Sequence, residues 1–284
     1  MNKGKERYLK LMATKIRKAG LQAIQYANSG HVGGSFSVAE ILAVLYFEKM
    51  NIDPKNPHWE DRDRFVLSKG HCTPTMYATL ALRGFFPERD LKGFRSINGY
   101  LSGHMEMRHI PGVDMSTGSL GQGFSAAVGM ALSAKTYNKR WRTYLILGDG
   151  EIEEGQVWEA AMSAGNYHLD NLTAFVDNNG LQLDGPISEI MSPYPITDKF
   201  RAFGWNVLEI NGHDCAQIND AIDVAVAFKG KPTMIIAKTV KGKGVSFMEN
   251  KVRFHGSVPN QEEFKQAFTE LDSQITELEG EGHA

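Results

Sequence analysis

Near the N-terminus apolar positions recur every three or four residues. Leu9, Met12, Ile16, Ala19, Ala23, Ile24 and Ala27 fall on one stripe, which predicts a helix over 5–28 closed by Gly30. Ser37 followed by Glu40 reads as a capping box for a second helix over 38–48. The next stretch, NIDPKNPHWEDRDR, is polar and broken by prolines, so it predicts a surface loop. RFVLSKGH then reads as a short buried strand ending in a turn, and TPTMYATLALRG as helix. Residues 101–123 are irregular and rich in Gly and His. From Ser119 onward, closely spaced small residues predict a helix packed tightly against a sheet. In the C-terminal half the rhythm changes. TYLIL, LTAFV, WNVLEI and TMIIAK are continuous apolar runs, separated by helical patterns over 153–168, 196–203 and 216–228. Strand and helix alternating at these lengths predict an α/β fold, with a mostly parallel central sheet and helices on both faces. No repeat or linker interrupts the pattern. One domain over 1–284 is expected, including a helical N-terminal region 5–48 and an acidic helical tail over 260–284.

Composition narrows the partners. The 31 Lys and Arg residues nearly balance 33 Asp and Glu, so no basic surplus drives nucleic-acid binding. The apolar run over 42–47 is far short of the ~20 residues of a membrane span. The N-terminus shows no secretory core, and two cysteines cannot build a disulfide framework. No membrane and no nucleic-acid partner are expected, and a cytoplasmic location follows. Cys72 reads as a small buried residue.

Ligands of parallel sheets gather at the carboxyl ends of the strands, so the exits carry the candidate chemistry. TYLIL leaves into Gly148-Asp149-Gly150, and LTAFV leaves into Asp177-Asn178-Asn179-Gly180. Both exits offer hard oxygen donors on turns where glycine admits close approach. A carboxylate, an amide oxygen and a backbone carbonyl suit Mg²⁺, which draws its remaining ligands from phosphate and water. A helix starting near Glu153 would point its positive end at such a phosphate. Either motif alone is also an ordinary turn, and it is the pairing that favours a site. GSLGQG opens a helix without a preceding strand, which leaves a nicotinamide site as the lesser alternative.

GDG followed by NN after 27 residues resembles the diphosphate-binding signature of thiamine-diphosphate enzymes, and the chain resembles the N-terminal part of transketolases. The segments ANSGHVGG, LSKGHCTPTMY, GHMEMRHIPGVDMSTGSLGQG, GDGEIEEGQVWEA and DNNGLQLDG carry that resemblance in order, and RFHGSVP adds a sixth. GHVGGSFS stands where GHPGAPLG is usual and GSLGQG where GPLGQG is usual, departures that bear on substrate choice.

The resemblance implies a thiamine-diphosphate-binding fold with thiamine diphosphate and Mg²⁺ as cofactors. Asp149, Asn179 and the Leu181 carbonyl would hold the metal. Gly150, His71 and His255 would meet or flank the diphosphate, Gly118 and Leu120 would contact the aminopyrimidine, and Leu183 would pack on the thiazolium. Glu154, counted with the cofactor residues, would join a carboxylate network at a subunit interface; its other reading, shared with Glu151 and Glu153, is a first-turn helix glutamate. His31, His71, His104 and His255 would surround the reactive carbon, hold sugar hydroxyls and move protons, which imidazole can do near neutral pH. His58, His109, His168 and His213 read as structural or surface residues.

The same resemblance places the glutamate that protonates the aminopyrimidine on a second, pyrimidine-binding domain, with the groups that grip sugar phosphate. The expected assembly is a split transketolase: this chain with a C-terminal subunit in an α2β2 heterotetramer. It would move a two-carbon ketol group from a ketose phosphate to an aldose acceptor. A split enzyme for a branched or sulfonated sugar, a deoxyxylulose-phosphate synthase, a ketoacid dehydrogenase E1 subunit, or a cofactor-binding module without activity are the alternatives.

Overall fold

A computed structural model describes residues 1–280, so the last four residues of the expected domain and tail lie outside the described residues. The sheet has five strands, β1 (Arg64–Leu67), β2 (Thr143–Gly148), β3 (Leu172–Asn178), β4 (Asn206–Asn211) and β5 (Thr233–Lys238). They run in the order β1-β2-β3-β5-β4, and every pairing is parallel. Both faces are covered, because side chains alternate across a strand with period two. Phe65, Leu67, Tyr144, Ile146, Phe175 and Ile235 enter one core, while Val66, Leu145, Leu147, Val176, Met234 and Ile236 enter the other. The expected parallel sheet with helices on both faces is what the chain forms.

The helices, in chain order, are α1 (Lys3–Ala27), α2 (Gly33–Phe36), α3 (Ala39–Val44), α4 (Thr73–Arg83), α5 (Gln122–Thr136), α6 (Gly155–Asn166), α7 (Ile187–Ile190), α8 (Ile196–Ala202), α9 (Cys215–Ala227) and α10 (Gln261–Gly280). α1, α3, α4, α9 and α10 cover the first core, and α5, α6 and α8 the second. The acidic tail is α10, docked on α1 through apolar contacts and the Lys18–Asp272 ion pair.

Two local expectations are corrected. α1 ends at Asn28, not Gly30: Asn28 takes the left-handed conformation (φ 45°), and its N–H caps the last turn. Gly30 serves packing instead, since a Cβ there would lie 2.7 Å from the Ile24 side chain. The capping box at Ser37 and Glu40 does not form, and the expected helix 38–48 is α3 followed by a π turn over Leu45–Lys49. The Ser37 hydroxyl turns to Asp177 Oδ2 at 2.7 Å, and Glu40 pairs with Arg17 at 2.5 Å and His213 at 3.0 Å. A buried carboxylate near a guanidinium gains more from that pairing than from a backbone cap.

Candidate active site

The register of the sheet creates the site. Gly148 of β2 lies opposite Asp177 of β3, so the two strands end level and their exit turns stand side by side. Asp149 is held between them: its Oδ2 accepts from Gly180 N at 2.6 Å and its Oδ1 from Gly150 N at 3.0 Å. Asn179 donates its amide to Asp177 Oδ2 at 3.1 Å, which fixes the amide's orientation, and its Oδ1 accepts from Leu181 N at 3.1 Å. The Leu181 carbonyl accepts from Lys241 Nζ at 2.8 Å.

A cavity of about 310 Å³ opens over these turns. Its floor is glycine-rich backbone, at Gly34, Gly118, Gly148 and Gly150, where a phosphate can approach main-chain N–H groups. Among the described residues no three His, Cys, Asp or Glu side chains cluster as a metal cage. One carboxylate, one amide oxygen and one carbonyl form an incomplete hard-oxygen set, which fits a Mg²⁺ ion that shares its shell with a diphosphate. The chemistry of this donor set therefore fits the cofactor pair.

Charge in the cavity is arranged by burial. Burial, and then the nearby Asp177 charge, push the Asp149 carboxyl up to about 7; a bound cation would favour its ionised form. Asp177 is fully buried and accepts from Lys69 Nζ, Ser37 Oγ, Thr239 Oγ1 and Asn179 Nδ2. Burial opposes its ionisation, but the Lys69 ammonium holds it below the usual carboxylate range. Burial also lowers Lys241 to about 8.

Three imidazoles face one another over the cavity. The ring centres of His31, His71 and His255 lie 5.1, 5.4 and 5.8 Å apart. Burial first, and then neighbouring positive charge, lower them to about 4, 4 and 3 respectively. All three are therefore neutral near pH 7, each with one donor and one acceptor nitrogen. Lys241 Nζ donates to His255 Nδ1 at 2.7 Å, which leaves the ring proton on Nε2. Burial also lowers His104, whose carbonyl accepts from Tyr77 Oη at 3.0 Å. Its ring packs on Gly118, where a Cβ would come within 3.2 Å.

Of the residues expected at the site, His31, His71, His255, Gly118, Leu120, Asp149, Gly150, Asn179, Leu181 and Leu183 line this cavity. His104 stands beside it, behind Gly118. Glu154 is not brought in: it is exposed, with its Cβ beside Gly121. The carboxylate that does enter is Glu151, whose sequence context reads as a first-turn helix residue. It lies in a 3-10 turn, Glu151–Glu153, and accepts from Gly121 N at 2.9 Å, Gly148 N at 3.0 Å and the Ser68 hydroxyl. Lys69 and Lys241 also line the cavity, which the motifs do not foretell; the signal in the sequence is their place just beyond β1 and β5. Cys72 is buried as expected. His213 is structural, donating from Nδ1 to Glu40 and accepting the Val240 amide at Nε2.

Comparisons with known proteins identify the family. Residues 9–276 match the family described as transketolase, thiamine diphosphate binding domain. The 6-deoxy-6-sulfo-D-fructose transketolase subunit SqwG from Clostridium sp. (strain MSTE9) is 50% identical over 266 residues, covering 94% of this chain and 97% of that protein. An apulose-4-phosphate transketolase subunit from Phocaeicola vulgatus is 40% identical, covering 97% of this chain and 98% of that protein. The transketolase of Homo sapiens is 43% identical over 94% of this chain, which spans only 42% of that longer protein. Among solved structures, transketolase from Campylobacter jejuni superposes with a TM-score of 0.89 at 34% identity, covering 98% of this chain and 46% of that one. The chain belongs to the transketolase family and carries its thiamine-diphosphate-binding domain.

Proposed function

We propose that this chain is the N-terminal subunit of a two-subunit transketolase, a transferase that moves a two-carbon ketol group between sugars. The observation that carries this reading is the level pair of exit turns, Asp149 against Asn179 and Leu181, beneath three neutral histidines. The whole chain functions as one cofactor-binding unit in this reading. When bound, thiamine diphosphate supplies the electron sink through which a carbon–carbon bond beside a carbonyl is broken and remade.

This chain's own residues do the rest. Asp149, Asn179 and the Leu181 carbonyl hold Mg²⁺, and Gly150 presents backbone to the diphosphate. Gly118 and Leu120 receive the aminopyrimidine, and Leu183 shields the thiazolium from water. His31, His71 and His255, with His104 beside Gly118, present neutral imidazoles to the sugar hydroxyls. There His31, His71 and His104 can each accept a proton at one nitrogen and donate at the other, while His255, its Nδ1 engaged by Lys241, offers its Nε2–H as a donor. Glu151, hydrogen-bonded to Gly121 N and Gly148 N, ties the loop before α5 to the GDG turn.

Two relatives of matching length are named as subunits, which supports a separate partner chain; in this reading the partner is a C-terminal subunit, the assembly is α2β2 and the enzyme is cytoplasmic. Among the described residues no helix is long and apolar enough to cross a membrane. The 50% identity over nearly all of both chains favours a sulfonated ketose as donor. The second reading is a branched sugar phosphate, supported by the apulose-4-phosphate relative. The test is a donor screen of the reconstituted pair with 6-deoxy-6-sulfo-D-fructose, apulose 4-phosphate and an ordinary ketose phosphate. Turnover of the sulfonated sugar at least about tenfold faster in kcat/KM, a difference of ~1.4 kcal/mol, supports the first reading. Ketol transfer from none of the three refutes the transketolase assignment.

A further inference from the structure

His31 and His104 sit on separate loops, and one side chain joins those loops. Arg95 reaches from a third loop, where Phe94 anchors the chain: its ring is buried and meets Tyr77 edge-on at 6.0 Å. Arg95 Nη1 donates to Ser29 Oγ at 2.7 Å, two residues before His31. Arg95 Nη2 donates to the Gly103 carbonyl at 3.3 Å, immediately before His104. The guanidinium packs against Gly103, where a Cβ would come within 3.0 Å of Nε and 3.2 Å of Cζ. Nε is buried without a partner, and the backbone of Arg95 is left-handed (φ 56°). An arginine that leaves a buried donor unpaired and adopts a disfavoured backbone incurs two costs. The two side-chain hydrogen bonds it makes, one to each histidine-bearing loop, are what those costs secure.

We propose that Arg95 is a positioning residue for the sugar-binding half of the site, clamping the His31 loop to the His104 loop at a fixed separation. It rests on the transketolase reading only for what the two imidazoles grip. Arg95 also bears on their charge. The groups facing His31 are His71, Arg95, His104, Lys241 and His255, and those facing His104 are Arg95 and His71. Arg95 carries a permanent charge near both rings, whereas His255 is governed by Lys241, His71, His31 and Lys69.

The test compares Arg95→Met, Arg95→Lys and Ser29→Ala with the wild type, in two measurements. In the reconstituted complex, Arg95→Met should raise the donor KM about 10- to 100-fold, the scale of charge-assisted hydrogen bonds. Thiamine-diphosphate affinity should stay within about twofold, since Arg95 lies outside the cofactor cavity. Arg95→Lys keeps the charge without the fork and should give an intermediate KM, and Ser29→Ala a smaller rise than Arg95→Met. In the chain alone, histidine NMR titration of Arg95→Met should show His31 and His104 protonating at higher pH, with His255 unmoved; Arg95→Lys should leave all three near wild type. A donor KM for Arg95→Met within twofold of wild type, or His31 and His104 titrations unchanged, overturns the proposal. If the wild-type complex transfers no ketol group, the function fails, while the titrations still decide whether Arg95 governs the two histidines.

Discussion

At the residue scale, Asp177 shows how the site is held from below. It contacts no cavity surface, yet it pairs with Lys69, fixes the Asn179 amide and ties Ser37 and Thr239 to β3. Asp177→Ala leaves the buried Lys69 ammonium without its counter-charge, with the Gly34 carbonyl still accepting from it, and should cost about 3–5 kcal/mol, read from urea unfolding. Asp149 differs because its carboxylate faces the cavity. Asp149→Ala should weaken Mg²⁺-dependent thiamine-diphosphate binding about 100-fold or more, since even residues behind a metal ligand contribute 10- to 100-fold. Calorimetry on the reconstituted complex checks it, and wild-type affinity would remove Asp149 from the metal site. His104→Ala should lower ketol-transfer turnover about 100-fold with cofactor affinity retained, the range of a lost general acid or base. An unchanged rate would take His104 out of the sugar site.

At the element scale, the site depends on strands ending in register, and this was legible in the sequence. TYLIL and LTAFV are continuous apolar runs because parallel strands are buried on both faces, so the polar residues that follow mark the exits. What was not legible had partners far away in the chain. Ser37 satisfies local capping rules but bonds Asp177, 140 residues on. Glu151 looks like a helix-start glutamate and instead folds back to hold Gly121, because a 3-10 turn precedes α6. Lys69 and Lys241 carry no motif signal of their own, and it is the fold that buries them. Helix ends were legible to within a few residues, where Asn28 replaced Gly30 as the stop. The packing of α6 offers its own test. A Cβ on Gly165 would lie 1.9 Å from the Phe203 carbonyl oxygen, so Gly165→Ala must push α6 away from the turn after α8. That should lower stability by about 2 kcal/mol or more, seen as a lower melting temperature.

At the scale of the whole molecule, the neutral histidines link the site to pH. Their folded values, about 3 to 4, lie below the usual 6.5, so between these limits the unfolded chain binds more protons. Their stabilising contribution is therefore complete above 6.5 and lost as the pH falls toward 4. Asp149 acts in the opposite sense in the metal-free chain, because its folded value is raised to about 7. The histidine part is isolated by comparison: the fall in melting temperature between pH 6.5 and 4 should be smaller in His71→Gln than in the wild type. An equal fall in both would show that His71 titrates normally. Two relatives of matching length are named as subunits. The proposed function places half an active site in this chain. It is tested most directly by assaying ketol transfer with the purified chain, its C-terminal partner, and the two combined, with Mg²⁺ and thiamine diphosphate present throughout. Turnover is expected only in the mixture, and full activity from this chain alone would contradict the proposed function.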